Sequence, residues 1–106
     1  MTDLVVDASA YVFATTEATP RAAACRRRLV DTSGHAPHLL DAEVGSALRR
    51  KVRSGSLDLA VAEAALANAP ALVEHRHAHA GALVTMAWGL RDHVSFYDAL
   101  YVALAA

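Results

Sequence analysis

An α/β domain, with a short parallel sheet outnumbered by its helices, is the fold class this chain predicts, on three observations. The β-branched run Leu4-Val5-Val6 ends at Asp7 and passes straight into Ala8-Ser9-Ala10-Tyr11-Val12-Phe13-Ala14, a strand feeding an alanine-rich helix. Apolar residues recur at helical spacing through the middle and end of the chain, with only short strand-like runs between them. Hydrophobic residues make up 55% of the 106, enough for one real core and too short a chain for a second, so residues 1–106 are expected to form a single domain.

The elements follow in order. Thr19-Pro20 supplies an N-cap and a first-turn proline for a helix to about Val30, which Asp31-Thr32-Ser33-Gly34 ends with loop chemistry. A short second strand is expected near His35 to His38. From Leu40, the positions Leu40, Val44, Ala47, Leu48 and Val52 form a buried stripe and leave Glu43, Ser46 and Arg50 on a different face. Ser54-Gly55-Ser56 breaks that helix, and Leu59, Ala62 and Leu66 mark the next one. Pro70 is expected to stop it before a third strand at Ala71-Leu72-Val73. Ala80, Leu83, Val84, Ala87 and Trp88 mark another helix closed by Gly89, and Ser95 opens the last one. After Asp98 every residue to Ala106 is apolar or tyrosine, which predicts a helix buried on several sides.

Global charge singles out no partner, because the formal net charge is −1. The single cysteine, Cys25, excludes an internal disulfide framework and fits a reducing compartment. With no signal-peptide pattern at Met1-Thr2-Asp3-Leu4 and no apolar stretch near the ~20 residues of a membrane span, the expectation is a soluble, cytoplasmic protein without a membrane partner.

Chemistry enters through three carboxylates that each stand where a helix begins: Asp7, Glu43 and Asp98. Ligands of open parallel sheets bind outside the carboxyl ends of the strands, where Asp7 falls. If the other two helices start on the same edge, the three acids converge, and a divalent cation relieves their repulsion while activating water against a phosphodiester. Each acid also has an ordinary structural use. Asp7 is a good helix cap, Asp98 fits a capping box with Ser95, and Glu43 suits the positive end of its helix dipole. Ser9, two residues after Asp7, is either a first-turn polar residue or a hydroxyl that orients a metal-bound water or a phosphate. Asp41 reads as a cap or a solvated first-turn acid.

His75, His77 and His79 alternate as on a strand, but the alternation is expected to break at a strand-to-helix turn, and no cysteine completes a zinc or nickel set. Arg26-Arg27-Arg28 and the run Arg49, Arg50, Lys51, Arg53 serve either RNA phosphates or helix dipoles and solubility.

Over essentially its whole length the chain resembles the PIN domain, and specifically the VapC-type toxins of type II toxin–antitoxin systems. Val5-Val6-Asp7-Ala8-Ser9, Leu40-Asp41-Ala42-Glu43-Val44 and above all Tyr97-Asp98-Ala99-Leu100-Tyr101-Val102-Ala103-Leu104-Ala105 carry the resemblance. It implies a three-layer α/β/α domain with a parallel sheet and a Mg2+-dependent (or Mn2+-dependent) endoribonuclease. Asp7 and Asp98 match the principal metal-binding aspartates, Glu43 the acid completing the cluster, and Ser9 a supporting hydroxyl. A homodimer neutralised by a VapB-type antitoxin is implied too.

Members of that family continue past the last helix into a strand with a Thr-Ala-Asp-like ending and a further helix, so the resemblance implies a C-terminally truncated domain. Such a chain would expose an edge of strand one and part of its last helix. Two expectations follow: an active metal-dependent ribonuclease, or an inactive fragment that only binds an antitoxin or a second copy. A phosphoacceptor receiver domain fares worse, for want of the adjacent acidic pair and the late lysine.

Overall fold

The computed structural model describes residues 2–106. Three parallel strands, β1 (Asp3–Val5), β2 (Ser33–Pro37) and β3 (His75–His77), form one sheet in the order β1-β2-β3. Val5 pairs with His35 and His35 with His75, so the three strands run in step. Two helices fill each crossover: α1 (Ala8–Thr16) and α2 (Pro20–Asp31) between β1 and β2, then α3 (Leu40–Arg53) and α4 (Leu59–Leu72) between β2 and β3. Parallel neighbours cannot be joined by a tight hairpin, which is why each connection carries helices. After β3 come α5 (Ala82–Trp88) and α6 (Phe96–Ala105), and α6 packs across β1 and β2.

Side chains alternate across the sheet. One face meets the main core, where Val6 and Ala36 join Tyr11, Leu40, Val44, Leu48, Ala62, Ala65, Ala69 and Val73. Burying each of the larger aliphatic chains contributes roughly 1.5–3 kcal/mol. Alanines on the buried side of α4 let the ring of Tyr11 press close, and its hydroxyl donates to the carbonyl of Ala65. Gly34 is required for a similar reason, because a Cβ there would stand 3.0 Å from the Leu72 carbonyl oxygen and 3.2 Å from Val73 Cα. A smaller cluster of Ala87, Ala99, Leu100 and Ala103 joins α5 to α6.

The caps explain most boundaries. Asp7, Thr19 and Ser95 accept from the backbone N–H groups of Ala10, Ala22 and Asp98, and Pro20 opens α2. Gly55, at φ +78°, turns the chain out of α3.

Three expectations are corrected. Pro70 does not stop α4, which runs on to Leu72. The ring stands exposed, and although proline lacks the N–H that would bond four residues back, Val73 N–H still reaches the Ala69 carbonyl at 2.9 Å, so the last turn closes. The third strand is therefore His75–His77, and Val73 is the buried C-cap of α4. Ser33 and Gly34 belong to β2 rather than to a loop.

Burial raises the Tyr11 phenol from its ordinary value of 10.0 to about 12, with Arg76 opposing and Asp41 adding to the rise. A raised folded-state value means that the neutral hydroxyl stabilises the fold below about pH 10 and that this contribution is lost as the pH climbs toward about 12. Tyr11→Phe should cost about 1 kcal/mol at pH 7. Urea unfolding at neutral and alkaline pH checks both parts: the variant should lose less stability than the parent above pH 10, and an unchanged alkaline loss would contradict the assignment.

Candidate active site

Because the strands are parallel, the helices that follow β1 and β2 begin on the same edge of the sheet. Asp7 stands there as the cap of α1. Its Oδ1 accepts from Ala10 N–H at 2.8 Å and from the Ser9 hydroxyl at 3.2 Å. Ser9 therefore orients Asp7, and both bonds fall on one oxygen, which leaves Oδ2 for a partner outside the chain. The capping role read from the sequence is thus compatible with a second one.

Glu43 lies in the first turn of α3, half-buried, and its Oε1 accepts from the Tyr101 hydroxyl at 2.5 Å. Tyr101 is 8% exposed and reaches across from α6. Burial, then the bond to Glu43, then the charges of Glu43 and Asp7 hold its phenol far above the ordinary range, with Arg76 opposing. The hydroxyl is thus a donor at any physiological pH, and Asp7, Glu43 and Arg76 all act on it. Asp98 occupies the first turn of α6, exposed, with its backbone N–H on the Ser95 hydroxyl at 3.2 Å. Three residues before Tyr101, it shares that residue's side of the helix.

Glu43 bonds to this hydroxyl, Asp7 acts on it through its charge, and Asp98 lies one turn earlier on α6. Arg76 is the nearby cation. Its guanidinium pairs with Asp41 and also donates to the Val73 carbonyl at 2.8 Å and the Ala69 carbonyl at 3.2 Å. Arg76 thereby satisfies carbonyls at the C-terminal end of α4, and Asp41 serves as its counter-ion.

Among the described residues, no three carboxylate, imidazole or thiolate side chains are close enough together to grip an ion directly. The donor set nevertheless suits Mg2+, which favours oxygen and keeps several waters, being bound through one or two carboxylates plus substrate phosphate. A tight cage such as structural zinc demands is not built here.

Other residues singled out in the sequence have different settings. Arg26 is committed to the end of α1, donating to the Ala14 carbonyl at 2.7 Å and the Glu17 carbonyl at 3.0 Å. The histidine alternation breaks before His79 as expected and holds only for His75 and His77, which both lie on β3. Between them stacks His35 of β2, with ring centroids 4.5 and 5.2 Å away. Its Nδ1 lies 3.0 Å from His77 Nε2, and its Nε2 lies 3.0 Å from Asp3 Oδ1. His79 is exposed beyond the strand.

No family model matches the chain. Individual relatives do. Ribonuclease VapC1 of Mycobacterium tuberculosis is 48% identical over 105 residues, which cover 99% of this chain and 79% of the relative. The chain belongs to the VapC ribonuclease family. Ribonuclease VapC3 of the same organism is 44% identical over 96% of this chain and 74% of its own length. VapC ribonuclease Mb0985 of Mycobacterium bovis is 38% identical over 96% and 76%. The six helices and short three-stranded parallel sheet are consistent with the PIN-like architecture that the resemblance implies.

In this VapC-family chain, Tyr101 and Arg76 are the two residues whose parts in the site sequence reasoning did not assign. Tyr101 carried a usable signal, because a phenol inside an apolar helix needs an acceptor once buried. Arg76 carried a weaker one, as a lone guanidinium between two histidines.

Removing the Tyr101 hydroxyl should loosen Glu43. A hydrogen bond to a charged acceptor contributes about 1.5–3 kcal/mol, and the half-buried setting favours the lower end. Tyr101→Phe should therefore lose about 1.5 kcal/mol in urea unfolding, and a double-mutant cycle with Glu43→Gln should return a coupling of similar sign. Additive effects would mean that the two side chains do not depend on each other.

Proposed function

We propose that this chain is the toxin of a type II toxin–antitoxin pair, a Mg2+-dependent endoribonuclease that hydrolyses RNA phosphodiester bonds. The observation that carries the reading is the Tyr101–Glu43 hydrogen bond in the first turn of α3, on the sheet edge where Asp7 caps α1, in a chain of the VapC ribonuclease family. Asp7, Glu43 and Asp98 are the residues proposed to hold Mg2+, or Mn2+ in its place. When bound, such an ion supplies a Lewis acid for the phosphoryl oxygen and an activated water. The chain's own residues do the rest. Ser9 fixes the Asp7 carboxylate, Tyr101 fixes Glu43, and Asp98 extends the acidic edge along α6. The substrate's own phosphate completes the set of oxygen donors.

The proposed protein partners are a VapB-type antitoxin and a second copy of the chain. Exposed apolar side chains at Leu59, Val61, Leu66, Trp88 and Val102 favour such contacts. A second reading, binding without cleavage, rests on the same side chains and on the absence, among the described residues, of a closed carboxylate cage. No helix among the described residues is long and apolar enough to cross a membrane.

Cleavage of a labelled structured RNA by the purified chain, in Mg2+ and in EDTA, separates the two readings. Asp7→Asn and Asp98→Asn should each lower the metal-dependent rate by at least about 100-fold, on the scale of losing one electrostatic element of an active site. Circular dichroism should remain that of the parent. Cleavage that survives both substitutions would remove these acids from the mechanism, and a folded parent that binds antitoxin but never cuts would favour the second reading.

A further inference from the structure

The polar stripe of α3 has a use beyond Glu43. Glu43, Ser46 and Arg50 line one shallow cleft of about 370 Å³ together with Leu39, Ala42 and Tyr97. Tyr97 is 61% exposed although it neighbours Asp98, and Ser46 and Arg50 are exposed as well. Arg50 makes no ion pair with an acid among the described residues, whereas Arg76 is paired with Asp41 and Arg26 is spent on the end of α1. One wall of the cleft thus ends in an uncommitted guanidinium, and α6 contributes an uncovered aromatic ring.

We propose that this cleft is the subsite for the nucleotide next to the scissile phosphate, with Tyr97 stacking on an unpaired base and Arg50 holding the neighbouring phosphate. The proposal rests on the ribonuclease reading above and adds where the strand lies and which form of RNA is accepted. Seven residues separate Glu43 from Arg50, a rise of about 10 Å along the helix. Arg50 thus stands about two turns beyond Glu43 and is placed for the neighbouring phosphate. It offers a planar fork of donors matched to phosphate oxygens. An exposed tyrosine ring stacks with any base but only when that base is unpaired, so the subsite selects single-stranded RNA and tolerates sequence. Ser46, between the two charges, is within one turn of each and supplies a hydroxyl toward the sugar–phosphate chain.

A protein partner would exploit the same cleft differently, so the test separates the two. Fluorescence anisotropy of a short fluorescein-labelled single-stranded RNA of mixed sequence, measured in EDTA, reads binding without turnover. Arg50→Ala should weaken binding about ten-fold and reduce the salt dependence by the equivalent of about one phosphate contact. Tyr97→Ala should weaken it about ten-fold, Tyr97→Phe should restore it by keeping the ring, and the loss should vanish on an abasic strand of equal length. With Mg2+, Tyr97→Ala should raise KM more than it lowers kcat. Unchanged RNA binding in both alanine variants, with the parent still binding and cutting, overturns the subsite alone. So does a loss of antitoxin binding without any loss of RNA binding. A parent that neither binds nor cuts RNA overturns the ribonuclease reading, and the subsite with it.

Discussion

Parallel pairing of three short strands is the constraint on which the rest of this structure depends. It forces each connection to climb back over the sheet as helices, and it makes α1 and α3 begin on one edge. Two carboxylates in separate parts of the sequence, Asp7 and Glu43, come to stand in the openings of helices on one edge for that reason. Had β1 and β2 been antiparallel, α1 and α3 would begin on opposite edges. The core serves the same arrangement: Tyr11 binds α1 to α4, and Gly34 lets β2 approach the end of α4.

Polar residues at the edge fall into supporting pairs. Ser9 holds Asp7, Tyr101 holds Glu43, and Asp41 holds Arg76. Each pair takes one freedom from a side chain at the edge, and the remaining negative potential faces outward from exposed Asp7 and Asp98. Arg50 stands about two turns along α3 from Glu43, as the positive end of the cleft those two share.

Local chemistry made much of this legible in advance. Caps at Asp7, Thr19 and Ser95, the apolar stripe from Leu40 to Val52, and the break at Ser54-Gly55-Ser56 are set by neighbours within a few residues, and each appears where expected. What escaped depends on partners far along the chain. Pro70 reads as a stop, yet Arg76 and Val73 finish the helix beyond it. His75 and His77 read as flanking a turn, yet pairing with His35 makes them strand residues. Of the site, the acids were visible as helix openers, whereas the 58-residue reach from Tyr101 to Glu43 was not. No pattern within one helix reveals which distant acid a buried phenol will find.

That long reach sets an order in time. Synthesis proceeds from the N-terminus, so a nascent chain carries Asp7, Ser9 and Glu43 long before it carries Asp98 or Tyr101. Until α6 leaves the ribosome and docks across β1 and β2, Glu43 lacks its anchor and the acidic edge lacks its last member. The half-made polypeptide therefore holds the ingredients of the edge without its geometry.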